Sequence, residues 1–326
     1  MRWQSRRTRA LIFQVGIVLV LTGLVAWLLS NTLANMRARG IQSGFGFLLD
    51  TAGFDIGESL IEYGSDQPYW RAFLVGLLNT LRVSMTGIVL CTLLGIIVGV
   101  GRVSHNALAR GLCYVYTELL RNVPILLQLL MWYVLLVEMM PDSETPLHFN
   151  DWFFLSKGGM SMPWPSGGEG WRLLWDVPVF LDGEVRGGLN ISPEFLAVTL
   201  GLTLYTSAFV AEVVRAGIQS VAKGQIEAAR SLGLNGAQTI RWVVLPQAMR
   251  VIVPPMTNQY LNLTKNSSLA VAIGYPDLVS ISNTALNQTG RAVECIAIIM
   301  CIYLALSLLT SALMNAYNRR VAIRER

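Results

Sequence analysis

Asn258, Asn262 and Lys265 recur at helical spacing inside one apolar stretch, and at about 100° per residue they fall within about 60° on one face. Amides and an ammonium in that pattern do no covalent chemistry. They hold polar or anionic groups by hydrogen bonds and charge. Inside a membrane such groups are costly and face the protein interior or a wet pathway. The stripe, continued by Asn266 and by Ser268–Leu269, therefore reads either as the lining of a path or as a hydrogen-bond seam against another helix or subunit. Just upstream stand Pro254 and Pro255. Neither has an N–H, so carbonyls about one turn earlier lose their partners and the helix is expected to kink or open there.

Other ionisable groups are fewer. Glu138 lies near the end of a second apolar stretch, where it pairs with a basic group, sits in a vestibule or is merely exposed at the interface. Glu118 with Arg121, and Glu212 with Arg215, are spaced for i,i+3 ion pairs. The chain has two histidines, His105 and His148, without metal-ligand spacing, and four cysteines without a CxxC, which read as small apolar fillers. No metal site and no nucleophilic triad is indicated. No GxxxxGK[ST] loop occurs, and Gly44-Phe45-Gly46 has no third glycine at dinucleotide spacing.

The elements that must position these residues are membrane helices. Of 326 residues, 53% are hydrophobic and 14% charged, with mean hydropathy +0.50; soluble domains average about 25% charged. Apolar segments run over 11–29, 83–101, 124–140, 195–214, 250–273 and 292–314. Several approach the roughly 20 residues needed to cross a bilayer core. The fold class expected is an all-α integral membrane protein of about six transmembrane helices. An inside N-terminus places 16 of the 25 Lys/Arg in segments 1–10, 102–121, 215–250 and 319–326. That obeys the positive-inside rule and puts both termini inside. It also accounts for the net charge of +5 without nucleic acid. Residues 1–35 then form an N-terminal anchor, 36–70 an external or interfacial segment, 71–140 two helices, and 141–192 a long external loop. Residues 193–318 hold three more helices and a cytoplasmic loop over 216–249, and 319–326 is a basic tail. The long loop is rich in Gly, Pro and Trp (Trp152, Trp164, Trp171, Trp175) and reads as a lid on the helix ends or as a docking surface for an external partner.

The cytoplasmic stretch from Glu227 to Arg250 reads as two short helices. Gly233 ends the first as a left-handed cap, with apolar Leu234 after it. Asn235 and Gln238 make a capping box for the second, and Pro246 stops it. Glu227-Ala228-Ala229, three residues, Gly233, nine residues, then Val243-Val244-Leu245-Pro246 resembles the signature of permease subunits of ATP-binding-cassette importers, with Val243 where isoleucine is usual. The run Leu119–Gln128, the segment Ala211–Ile218 with Gly224-Gln225, Leu245–Arg250 and Lys265–Leu269 is similar to the polar amino acid permeases. The N-terminal anchor and the fifty-residue loop look like the larger permeases of general L-amino acid systems.

The resemblance implies a type I importer core with an extra N-terminal helix, in a bacterial inner membrane. Its partners would be two cytoplasmic ATPases, a second permease, a paralogue by the extra span and loop, and a periplasmic amino-acid-binding protein, all within membrane lipid. ATP and Mg would sit on the ATPase, with no cofactor in this chain. Glu227, Ala228, Ala229, Gly233, Leu245 and Pro246 would form the ATPase-docking loop. Asn258, Asn262, Lys265, Asn266 and Glu138 would border the substrate pathway, the amides meeting the carboxylate and amine of an L-amino acid. The alternative is a secondary amino acid transporter driven by an ion gradient. It predicts an inverted repeat with matching broken helices, and one broken span is visible.

Overall fold

A computed structural model describes residues 6–38, 40, 43–150, 152–167, 173–181 and 183–321. Trp171, residues 1–5 and most of the basic tail lie outside the described residues. Among the described residues ten α-helices follow one another: α1 Arg6–Ala38, α2 Tyr69–Arg102, α3 Ala107–Asn122, α4 Ile125–Glu138, α5 Pro193–Gln219, α6 Lys223–Ser231, α7 Gly236–Thr239, α8 Leu245–Asn266, α9 Leu278–Thr289 and α10 Ala292–Val321. Among the described residues, α1, α2, α5 and α10 are each long and apolar enough to cross a membrane. Two bent pairs qualify only jointly: α3 with α4, at 106°, and the α7–α8 stretch with α9, at 51°. α1 is apolar all round and its spanning stretch is covered by no described residue of this chain. Such a helix is suited to lipid or to another subunit.

The central contact is α2 against α5. It is close because glycines stand where the helices cross, as in membrane helix pairs generally. A Cβ on Gly99 would fall 2.7 Å from Val214 and 2.8 Å from the Ala211 carbonyl, and Gly95 meets Val210 in the same way. α8 lies along α5 with Ile252 over Gly217, and α4 sets Leu129 over Gly201. The buried core runs through Val83, Leu129, Val198, Leu202, Val210, Ile252, Met256 and Leu263. A second cluster of Phe47, Tyr69, Phe73, Leu278 and Ile281 ties the 45–68 segment to α2 and α9.

The bend between α3 and α4 has a cause in the sequence. Pro124 cannot donate to the Leu120 carbonyl four residues back. Buried Gln128 supplies the missing donor, its Nε2 giving hydrogen bonds to Leu120 O at 2.8 Å and Val123 O at 2.9 Å. The proline and glutamine of the Leu119–Gln128 run thus act as one device.

Three expectations are corrected. The segment 141–192 is not merely loop: its described part carries eight short strands, β1 Leu147–Phe149, β2 Phe153–Ser156, β3 Gly159–Met162, β4 Trp164–Gly167, β5 Leu173–Asp176, β6 Val179–Leu181, β7 Glu184–Arg186 and β8 Leu189–Ile191. They form an antiparallel sheet in the order β1-β2-β3-β8 and two hairpins, β4–β5 and β6–β7. Met160, Met162, Leu189 and Ile191 seat this insertion on the helix core. Second, α8 passes through Pro254 and Pro255 without a break. The interruption lies further on, where a 3-10 turn over Ser267–Ile273 ends at left-handed Gly274 (φ 80°) before Pro276. The prolines leave two carbonyls without N–H partners, but packing of Ile252, Val253 and Met256 holds the helix across them. Third, Glu118 lies 4.0 Å from Arg102 instead of pairing with Arg121, whose guanidinium stacks over Phe209 at 5.2 Å.

Candidate functional site

The stretch after α5 is held by local chemistry at each joint. α6 ends with Gly233 at φ 79°, a left-handed conformation that favours glycine. Leu234 N donates to Ala229 O at 3.1 Å and Gly233 N to Arg230 O at 2.9 Å, so the last carbonyls are satisfied as in a Schellman turn. The capping box is complete: Gln238 N donates to Asn235 Oδ1, and Asn235 N to Gln238 Oε1, both at 2.9 Å. A π turn over Ile240–Val244 follows, with Leu245 N bonded to Ile240 O. Pro246 sits in the first turn of α8, where its missing N–H is harmless, so the π turn runs directly into α8 and the chain continues instead of stopping.

This knob has two faces. Ala229 is buried, and Val221, Ile226 and Val244 pack into the main core. Glu227, Ala228 and Gly233 face outward, as do Leu245 and Pro246, and beside them Leu232 is 82% and Trp242 65% exposed. A surface of one carboxylate, small residues and bare apolar side chains with nothing covering it suits a protein partner.

At the base of α5, just before the knob, Glu212 accepts hydrogen bonds from Arg215 and forms an ion pair with Arg102 at 3.5 Å. Arg102 also donates to Thr117 and lies over the Tyr114 ring at 5.0 Å. The ends of α2, α3 and α5 are thereby tied by charge next to the knob. The i,i+3 spacing of Glu212 and Arg215 is met, while Arg102 as their third member was not visible in sequence.

On α8, Asn258, Asn262 and Lys265 lie on the exposed face, in line with exposed Pro254, while Met256, Leu263 and Thr264 point into the core. Asn266 is half-buried at the helix end. The structure brings these residues together as a stripe that no described side chain of this chain covers. Glu138 does not join them. It is exposed at the end of α4, beside Lys157, whose pKa is raised by its 2.9 Å hydrogen bond to Asp142, by the Asp142 charge, and to a smaller degree by Glu138.

A second polar cluster, at the opposite end of the bundle, escaped the sequence reading. Glu58 binds Arg82 and accepts from Ser192, and Arg82 lies over the Phe195 ring at 4.1 Å. Buried Asn79 donates to Glu58 O at 2.8 Å and to Pro276 O at 2.9 Å. Ser192 is also the N-cap of α5. One hub thus joins the 45–68 segment, α2, the end of the insertion and the turn before α9. Only Arg82, a charge inside an apolar run, hinted at it. Among the described residues no cluster of His, Cys, Asp and Glu could hold a metal ion.

Comparison with known proteins agrees with this geometry. The family of inner membrane components of binding-protein-dependent transport systems matches residues 91–323. YhdX of Escherichia coli (strain K12), whose name places it among amino-acid ABC transporter permeases, is 44% identical over 98% of this chain and 95% of its own. The general L-amino acid transport system permease AapQ of Rhizobium johnstonii is 39% identical, covering 98% and 93%. A solved amino acid ABC transporter with histidines is 29% identical at TM-score 0.58, over 77% of this chain and 95% of that one. The chain therefore belongs to the family of binding-protein-dependent transport system inner membrane components, and it is a multi-pass permease subunit of an ABC transporter.

Proposed function

We propose that this chain is one of two permeases in an ATP-driven importer that takes L-amino acids from an external receptor to the cytoplasm. The observation that carries the reading is the capped, outward-facing knob built on the EAA…G…LP sequence, with both of its ends rooted in the helix core. In this reading the knob end and both termini are cytoplasmic, and two ATPases, holding ATP and Mg, seat α6 in their grooves. Glu227 supplies a carboxylate to that contact and exposed Ala228 keeps the outward face slim enough to enter, while buried Ala229 lets α6 sit close on its own core instead of meeting the ATPase. ATPase closure pushes on α6. The Glu212–Arg102–Arg215 ties pass the displacement to α2 and α5, and the π turn passes it to α8.

The exposed stripe of α8 then faces the second permease, read as a paralogue, across the pathway. Asn258 and Asn262 meet the amine and carboxylate of the passing amino acid, and Lys265 with Asn266 attracts the carboxylate. Polar and charged amino acids fit this lining best. Glu138 stands at the outer mouth.

The test is ATPase activity of the reconstituted complex, with wild type against Glu227→Ala and Gly233→Asp. The reading expects an ATPase that co-purifies with the wild type, responds to receptor plus amino acid, and loses that response in the variants. Uptake that follows an ion gradient without any recruited ATPase would overturn it.

A further inference from the structure

The insertion between α4 and α5 carries a cleft of about 820 Å³, open to the outside, between the sheet edge and the β6–β7 hairpin. Its walls are aromatic and apolar: Trp152, His148, Phe154, Val179 and Phe180, with Glu144 at the rim. Phe154 and Phe180 stack with centroids 6.5 Å apart, which shapes the floor. Trp152 is 55% and Val179 49% exposed, and edge strand β1 leaves Leu147 and Phe149 bare. Apolar surface of this extent marks an interaction site, and an aromatic-lined pocket is the usual seat of an interface anchor.

Charge decides between a membrane surface and a protein. The external segments 36–70 and 141–192 together hold twelve of the chain's 20 acidic residues and five of its 25 basic ones. So acidic a face repels anionic headgroups and attracts a basic partner. The family acts with a binding protein, which has to arrive at this face.

We infer that the cleft is a docking seat for that receptor, filled by an apolar receptor side chain ringed by lysine or arginine. Docking here also reaches the core, because β8 leads into Ser192, which caps α5 and donates to Glu58. The inference rests on the permease reading, and the experiment separates the two.

The complete importer in lipid nanodiscs is titrated with its amino-acid-loaded receptor while ATPase rate is followed. Trp152→Ala and Val179→Lys are each expected to raise the half-maximal receptor concentration about tenfold or more, with the rate at saturation kept. Glu144→Lys raises it less, and its effect fades in about 0.5 M salt. Receptor-free ATPase rate and melting temperature equal to wild type exclude misfolding. Unchanged half-maximal concentrations in all three variants overturn the docking seat, as does a lowered maximal rate alone, which reports a structural role. A wild type that no receptor stimulates overturns the permease reading itself.

Discussion

The two ends of the bundle are tied by different means. At the end that carries the insertion the ties are between residues far apart in sequence: Glu58, Asn79, Arg82, Ser192 and the Pro276 carbonyl, with the ion pair largely shielded from water. At the knob end they are short-range caps and an ion network in which Arg102 is shielded while Glu118 and Arg215 stay partly open to solvent. Shielded charge pairs resist separation, because each partner left alone in low dielectric is costly. Solvated pairs exchange partners cheaply. The molecule is thus fastened at the insertion end and more adjustable at the knob end, the arrangement the proposed importer needs if an ATPase moves the knob while the other end keeps its shape for a receptor.

The sharpest way to break that contrast is Arg82→Ala. It strands the Glu58 carboxylate and removes the cation over Phe195. Loss of one partner of a fully buried pair costs about 3–5 kcal/mol, and this pair, 17% and 16% exposed, is expected to cost less than that. A thermal unfolding scan in detergent is expected to show a large drop in melting temperature. Arg215→Ala, at the knob end, should shift it by a small fraction of that. Equal shifts would remove the distinction between the ends.

Next in size is the hinge both ends share. Gly99→Val places methyl groups against Val214 and the Ala211 carbonyl. Overpacking of this kind costs about 1–3 kcal/mol, and here it wedges α2 from α5 near the knob end. Reduced melting temperature and reduced ATPase coupling are expected together, whereas Gly111→Val, with open space around it, should leave both unchanged.

The same contrast explains what could be read from sequence. The caps of the knob were legible because their determinants are local: Gly233 and the Asn235–Gln238 box act within a few residues of themselves, whereas Pro246, expected to stop the second helix, sits in the first turn of α8 and lets the chain continue. The second hub was not legible, since Glu58 and Ser192, 134 positions apart in sequence, meet only once the chain between them has folded. The strands of the insertion did leave signals. Lys157-Gly158 and Asp182-Gly183 each stand between short β-prone runs, and such two-residue turns mark hairpins. The Gly, Pro and Trp content read as a loop instead. The double proline misled for a different reason. It removes hydrogen bonds locally, but whether a helix then breaks depends on tertiary packing. The actual break is announced by Gly274 and Pro276.

Gly233→Ala tests the knob with less energy. An alanine forced to φ 79° costs about 1–2 kcal/mol, confined to a surface turn. Global melting should hardly move, while receptor-stimulated ATPase activity falls severalfold because α6 meets the ATPase at a changed angle. A large fall in melting temperature instead would place the knob among the structural supports of the fold.

The smallest expected change in stability is Asn235→Ala, about 1 kcal/mol for a lost N-cap. It removes the side-chain acceptor for Gln238 N, while the backbone N–H of residue 235 can still donate to Gln238 Oε1, so one half of the box opens. The joint between α6 and α7 then bends more easily although every outward residue of the docking surface remains in place. If force passes through the knob as through a rigid body, ATPase binding stays near wild type while transport per ATP hydrolysed drops. If α6 alone transmits it, through Ile226 and Ala229 into the core, stoichiometry is preserved. Measuring amino acid uptake and phosphate release in the same vesicles separates these outcomes, and an unaltered ratio would show that the second half of the knob is a spacer, with no part in the coupling.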